Sequence, residues 1–350
     1  MTDRVLVTGA TGFIAQHCIL QLLEEGYRVR GTARSADRGD EAAAILTPHL
    51  SKHAQERLAD DFEIVVADLR ADEGWDDAMK ECRYVLHVAS PLPWTIPKDE
   101  NDLIIPAREG TLRVLRSASR AGVQRVVLTS SISAVAYGQD RDHVFDESDW
   151  SNVEDSRLSA YDKSKTLAER AAWEYMDSAA IDSTMDLVVI NPGLVLGPLL
   201  SKEWSLSAEL IIKMMNRAVP AIPDLRMVMI DVRDVAATHL KAMTSAPASG
   251  QRFLCCTESH PIRDVAVILS EHLRGQGFKI PTARLPGFLM PIFALWDKQV
   301  RLVLSEIGQP LEVDNSRMRT VLQITPRDLR EMTVSMADSL LRYGVVTPRQ

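Results

Sequence analysis

The stretch Val7-Thr8-Gly9-Ala10-Thr11-Gly12-Phe13-Ile14-Ala15 narrows the folds open to this chain more than any other. It follows a short β-branched run, Val5–Val7, and opens an apolar-periodic segment that reads as a helix from about Phe13 to Glu25. Gly26 stands where the C-cap of that helix is expected. Two glycines between a strand and a helix let the backbone turn tightly and approach a pyrophosphate. The N–H groups and positive dipole end of the helix then hold the anion. The spacing is G-x-x-G-x-x-A, not the G-x-G-x-x-G of the most familiar dinucleotide fingerprint. Two glycines alone would read as a structural turn. At the first strand–helix junction of a βαβ pattern, the phosphate reading prevails.

That pattern continues along the chain. Strands are expected at Tyr27–Thr32, Phe62–Ala67, Tyr84–Ala89, Arg125–Thr129 and Leu187–Asn191, with Arg252–Cys256 as a seventh. A helix over Glu109–Ala121, closed by Gly122, precedes the fifth. Short apolar strands separated by helices call for a parallel sheet covered on both faces, wound right-handedly into a doubly wound α/β fold of the Rossmann type. After about Pro192 the pattern loosens, and prolines punctuate shorter helical pieces such as Leu206–Arg217 and Ile262–Gly275. This reads as a smaller, interleaved C-terminal lobe, with Met227–Met243 and the seventh strand returning to the first. The expected division is residues 1–192 plus 225–256 for the Rossmann domain, and 193–224 plus 257–350 for a substrate-binding lobe.

Composition sets the surroundings. Apolar residues make up 46% of the 350 residues, enough for a sizeable core, and the net charge of −8 argues against general affinity for nucleic acid or anionic lipid. The four cysteines, Cys18, Cys82, Cys255 and Cys256, form no C-x-x-C pair, so no metal is expected. Scattered in this way they suggest buried, inert thiols in a reducing compartment. No charged-then-apolar segment precedes the first strand. The apolar stretch Leu285–Trp296 is too short to span a bilayer and is broken by Pro286 and Pro291. A cytoplasmic protein without a membrane partner, monomeric or homodimeric, is the expectation.

With Thr8-Gly9-x-x-Gly12-Phe13-Ile14 at its first turn, the chain resembles the extended short-chain dehydrogenase/reductase superfamily. More narrowly it is similar to the dihydroflavonol 4-reductase-like reductases, the group of the cinnamoyl-CoA, vestitone and methylglyoxal (aldehyde) reductases. The resemblance implies cofactor contacts from Thr8, Gly9, Thr11, Gly12, Phe13 and Ile14. Ala15 stands where many relatives carry a third glycine, a small-for-small change that leaves helix–strand packing intact.

The second strand speaks to the choice of cofactor. An acid at its end holds the ribose 2′-OH of NAD, whereas arginine there accommodates the 2′-phosphate of NADP. This strand ends Gly31-Thr32-Ala33-Arg34, with Ala33 in place of the acid and Arg34 beside it. A planar guanidinium holds phosphate through two parallel hydrogen bonds, and Arg38, one turn on, offers a second contact. Read blandly, both are solvated surface arginines; the missing acid favours NADPH. Asp68-Leu69 resembles the family's adenine-contacting pair, although an Asp at a strand end is also a routine helix cap. Ala89 ends the fourth strand, where a small residue lets the cofactor ribose pass. His87, alone in an apolar strand, reads as a packed core residue.

Tyr161 and Lys165, four apart in a helix-compatible stretch, fall on one helical face. Tyr161 is the only one of six tyrosines with Lys at that offset. A phenol with a reference pKa of about 10 is a weak acid at neutral pH. A neighbouring ammonium stabilises phenolate and brings that value toward the working range, while its other donors hold the nicotinamide ribose. The run Thr129-Ser130-Ser131-Ile132-Ser133 closes strand five. By resemblance Ser131 is the hydroxyl that orients the substrate carbonyl, Ser130 contributes through its backbone, and Ser133 touches substrate. Asn191-Pro192-Gly193-Leu194-Val195 resembles the family's loop after strand six, so the backbones of Pro192, Gly193 and Val195 are expected at the nicotinamide carboxamide. Asp231, Arg233 and Asp234 read as architecture.

Substrate walls are expected from Pro91–Pro97, from Pro198–Pro223 and from Pro286–Trp296, all rich in apolar groups. The expected function is NADPH-dependent reduction of a small aldehyde or ketone. A hydroxysteroid dehydrogenase shares nearly all these motifs and is the nearest rival. A nucleotide-sugar epimerase wants the missing acid, a dehydratase wants carboxylates where Ile132, Ser133 and Ala134 stand, and a non-catalytic NADP sensor has no use for the Tyr/Lys pair.

Overall fold

Alternation of side chains along each strand builds two separate cores around one sheet. The computed structural model describes residues 3–91, 97–141, 143–178, 184–287, 306–309 and 311–348. Its strands are β1 (Arg4–Val7), β2 (Arg28–Ala33), β3 (Phe62–Val66), β4 (Cys82–His87), β5 (Arg125–Thr129), β6 (Asp186–Pro192), β7 (Leu194–Leu196), β8 (Arg226–Asp231), β9 (Arg252–Cys255) and β10 (Ser259–Pro261). Seven of them form a sheet in the order β3-β2-β1-β4-β5-β6-β9, with every neighbouring pair parallel. This is the doubly wound order, extended by one strand, and its direction of winding reverses between β1 and β4. In open α/β sheets ligands bind at such a reversal, beyond the carboxyl ends of the strands.

The helices are α1 (Phe13–Glu24), α2 (Ala36–Leu46), α3 (Lys52–Asp61), α4 (Trp75–Met79), α5 (Asn101–Arg120), α6 (Ala160–Asp177), α7 (Leu206–Met215), α8 (Val232–Thr244), α9 (Ile262–His272), α10 (Ser316–Val321) and α11 (Leu329–Arg342). On one face of the sheet Val5, Val7, Leu86, Val127, Val188 and Ile190 pack with residues of α1 and α8. Their sequence neighbours Leu6, Val85, Val126, Leu128, Leu187 and Val189 turn to the other face, against residues of α4, α5 and α6. Period-two burial on both sides explains why these strands read as unbroken apolar runs. Each such side chain withdrawn from water contributes about 1.5–3 kcal/mol before conformational entropy is counted.

The second sheet has the order β10-β8-β7, and its surroundings form a third core from α7, α9 and α11. β8 lies at the seam: Met229 packs into that core, whereas Ile230 packs into the main one. α8, which follows β8 directly, lies on α1 and the main sheet. Leu194–Leu196, expected as loop, is thus a strand. The expected strand ends hold within two residues. α5 is the larger difference, starting at Asn101 instead of Glu109 and carrying Pro106 inside it. Burial of Leu103, Ile104 and Ala107 outweighs the proline's missing donor.

All four cysteines are free and buried, and burial pushes each thiol up, away from reactive thiolate. Among the described residues no helix is long and apolar enough to cross a membrane, and no group of metal-ligating side chains gathers.

Candidate active site

The first turn is held open by backbone and side-chain bonds. Gly9 has φ of 71°, and a Cβ there would stand 3.0 Å from that of Ala89. Only glycine combines that conformation with so close an approach. Gly9 donates its N–H to the Thr32 hydroxyl at 3.0 Å, and Gly12 donates to the Gly9 carbonyl at 2.8 Å. Gly12 is the N-cap of α1 and, having no side chain, leaves the first N–H groups of Phe13 and Ile14 without a side-chain cap. These orphan donors at a positive dipole end suit a pyrophosphate.

The Thr8 hydroxyl ties this turn to the end of β4. It accepts from the Ala89 N–H at 2.9 Å and shares a hydrogen bond of 2.9 Å with Nδ1 of His87. Burial holds His87 down to about 3, so its ring stays neutral. The histidine expected as core packing thus also helps tie the first turn to the end of β4. Chain spacing alone gives no sign of this pairing, because its partners lie 79 residues apart.

At the end of β2, Arg34 is exposed and makes no hydrogen bond or salt bridge among the described residues. Asp68, at the end of β3, lies within its electrostatic reach. The Asp68 carboxylate accepts from the Arg70 backbone and guanidinium at 2.9 Å each, and Arg70 holds it below the usual carboxylate range. Leu69 packs beside Gly110 of α5. Arg38 differs from Arg34. Its guanidinium donates to both oxygens of Glu203 at 2.8 and 2.9 Å and to Glu41 at 2.6 Å. In this structure Arg38 ties α2 to the segment after β7.

The second cluster stands at the ends of β5 and β6. Ser131 caps a single 3₁₀ turn, Ile132–Ala134, its Oγ accepting from the Ser133 N–H at 3.1 Å. Tyr161 and Lys165 lie on the first turns of α6, whose start is fixed by a capping box between Ser159 and Asp162. Burial, the dominant cause, pushes the Tyr161 phenol up to about 12, and the nearby Ser131 hydroxyl opposes it. Lys165 is 8% exposed and its ammonium donates, at 3.5 Å, to the Thr129 carbonyl. Burial draws it down to about 8. The charge of Lys165 is felt at His87, which links this cluster to the Thr8 turn.

Beneath these groups lies a carboxylate that sequence reasoning misses. Glu169, one turn beyond Lys165, accepts from the Ser130 hydroxyl at 2.5 Å, from Asn191 Nδ2 at 2.7 Å and from Arg252 Nε at 2.5 Å. The Ser130 side chain, where the sequence points mainly to a backbone contribution, is thus engaged with Glu169. The one signal in the sequence is Glu169 itself, the third member of a Tyr161–Lys165–Glu169 spacing of four.

Pro192 closes β6 in register with Cys255, and Gly193 donates to the Cys255 carbonyl at 3.1 Å. A Cβ on Gly193 would stand 2.5 Å from the Val228 carbonyl oxygen, so no larger residue fits between the two sheets. Val195 pairs with Ile230 within β7–β8. Asp231, Arg233 and Asp234 are engaged in a helix cap and in ion pairs with one another and with Arg327.

A cavity of about 380 Å³ adjoins Ser159 and Asp162, on either side of Tyr161. Tyr137, Leu225 and Met227 line it together with Arg141 and Arg226, so its wall mixes apolar surface with guanidinium groups. The expected wall Pro91–Pro97 falls on residues 92–96, outside the described residues, as do residues 288–296 of the Pro286–Trp296 segment.

The model of the NAD dependent epimerase/dehydratase family matches residues 5–256. NADPH-dependent methylglyoxal reductase GRE2 of Saccharomyces cerevisiae is 31% identical over 97% of this chain and 98% of that protein. Cinnamoyl-CoA reductase CAD2 of Medicago truncatula is 38% identical over 76% of this chain and 80% of its own length. Among solved structures, yeast methylglyoxal/isovaleraldehyde reductase Gre2 complexed with NADPH matches with a TM-score of 0.78 at 30% identity, covering 98% of this chain and 99% of that one. Matched from its first strand to its ninth, and along nearly its whole length by reductases that share its sheet, the chain belongs to the NAD dependent epimerase/dehydratase family and, within it, to the dihydroflavonol 4-reductase-like reductases.

Proposed function

We propose that this chain reduces an aldehyde or ketone to an alcohol with NADPH. The observation that carries the reading is the hydroxyl pair of Ser131 and Tyr161, standing over a buried lysine at the carboxyl ends of β5 and β6. Across β4 this pair is linked, through His87 and Thr8, to a helix N-terminus free of any side-chain cap. A dinucleotide fits that arrangement. The N–H groups after Gly12 would take the pyrophosphate, Ala89 the ribose, Asp68 and Leu69 the adenine, and the Pro192–Val195 backbone the carboxamide. Arg34, bonded to no acid among the described residues, would take the 2′-phosphate, and Arg38 joins it on parting from Glu203.

When bound, the reduced cofactor supplies a hydride. The chain's own groups handle the oxygen. Ser131 donates to the substrate carbonyl and fixes its direction. Tyr161 delivers the phenolic proton to that oxygen as it becomes alkoxide, a stronger base than phenolate. The Lys165 ammonium then steadies the phenolate. A phenol held protonated near neutral pH is primed for reduction, since oxidation of an alcohol would need it ionised.

The reading includes residues 1–192 plus 225–256 as the cofactor-holding part and 193–224 plus 257–350 as the substrate-facing part. The two sheets support that division, with β8 shared between them. It also includes a cytoplasmic location, supported by four unpaired buried thiols, and a monomer or homodimer.

Arg34→Ala should weaken NADPH binding about 10- to 100-fold, the worth of charge-assisted hydrogen bonds to phosphate, and leave NADH binding unchanged. Isothermal titration with both nucleotides checks this; equal losses would remove Arg34 from cofactor choice. The reaction class is tested by NADPH oxidation across aldehydes, diketones, flavanonols, steroids and acyl-CoA thioesters. No turnover with any of them refutes it.

A further inference from the structure

We propose that Glu169 is the positioning residue of the active centre: its buried carboxylate fixes the Ser130–Ser131 strand end and serves as the countercharge that keeps Lys165 an ammonium. This deepens the carbonyl-reductase reading and rests on it. The Glu169 side chain is wholly buried, and three different strands deliver donors to it. From the end of β5 comes the Ser130 hydroxyl, from β6 the Asn191 amide, and from β9 the Arg252 guanidinium. Asn191 Nδ2 also donates to the Ser131 carbonyl at 3.1 Å. The carboxylate thus reaches the Ser131 peptide through one intermediate, and with it the residue whose hydroxyl acts on the Tyr161 phenol.

The same carboxylate lies one helical turn from Lys165 and favours its charged form against burial. Among the described residues the other elements around Lys165 offer no second anion. β4 presents His87, held neutral, and β5 presents the Thr129 carbonyl. The buried residues of α5 and of the 3₁₀ turn Ile132–Ala134 are uncharged. On α6 itself Tyr161 is a neutral phenol, and Asp162 is engaged with Ser159. Arg252 has its own anchors: Nη1 donates to the carbonyls of Glu147 and Asp149 at 2.9 and 2.8 Å, and its guanidinium lies 3.9 Å from the centre of the Trp150 ring. The arginine therefore holds Glu169 from below, and Glu169 serves the groups above.

The test compares Glu169→Gln, Arg252→Met and the double variant. Glutamine retains the shape and an acceptor but not the charge. Loss of the countercharge should move the alkaline limb of the kcat–pH profile down by about one pH unit or more. Activity then falls about tenfold on the alkaline side and returns on acidification, because the ammonium fraction there drops tenfold for each pH unit the limb moves. The double variant, in which neither charge is left unpaired, should keep the displaced limb while recovering thermal stability. Arg252→Met alone, which retains Glu169, should lower stability without that displacement. Competitive acetylation of Lys165, read by mass spectrometry on the chain without nucleotide, should follow the same order and depends on no turnover. A kcat loss equal at every pH, with Lys165 labelling unmoved in Glu169→Gln and the double variant, overturns the proposal. A native chain inactive toward every carbonyl but with Lys165 labelling displaced overturns the reductase reading instead.

Discussion

Replacement of Tyr161 by Phe should lower kcat by about 10²–10⁴-fold while NADPH affinity stays within about twofold, the range ascribed to a positioned proton donor. The substitution removes one oxygen and retains the ring. Ser131 keeps its hydroxyl, and the backbone proposed to hold the cofactor is not altered. Hydride delivery to a carbonyl whose oxygen has no proton source leaves a naked alkoxide in a partly buried site, and that cost falls on the chemical step alone. Steady-state NADPH oxidation paired with nucleotide titration separates the two quantities. Unchanged kcat would take Tyr161 out of the reaction; an equal collapse of nucleotide affinity would make it a cofactor ligand only.

The second large effect is on the fold. Arg252→Ala leaves Glu169 as a buried anion deprived of its cation and should destabilise the chain by about 3–5 kcal/mol. The pair is buried on both sides, 8% and 0% exposed, with N···O at 2.5 Å, so solvent does little to screen it. Denaturant unfolding followed by fluorescence should show the midpoint lowered at constant slope. A loss under about 1 kcal/mol, the value of a surface pair, would mean that water reaches the carboxylate.

The sheet is legible in the sequence because its central strands are buried on both faces, which concentrates apolar residues into runs that periodicity detects. Arg125–Thr129 matches its expected bounds to the residue. The glycine turn is legible for a different reason: position between strand and helix gives meaning to Gly9 and Gly12, and the structure places Ala89 against the first of them. What escapes the sequence depends on distant partners. Arg38 reads like Arg34, one turn on, and nothing local reveals that Glu203, 165 residues later, engages it. β10 is three residues, Ser259–Pro261, and exists only because β8 lies antiparallel beside it. The Glu169 cluster draws on three strands and one helix, so no window of sequence contains it. Pro106 hides the start of α5 because a local rule about proline is overridden by packing.

The last strand of the main sheet arrives late. β6 pairs with β9 through Val189–Arg252 to Pro192–Cys255, and everything between them must be made before that ladder can close. Until then the Leu187–Ile190 stretch, apolar on both faces, presents an open row of amides and carbonyls, the kind of edge to which another chain adds. A fragment ending at Pro192, although it holds every residue of the Ser–Tyr–Lys cluster, should therefore self-associate through that edge.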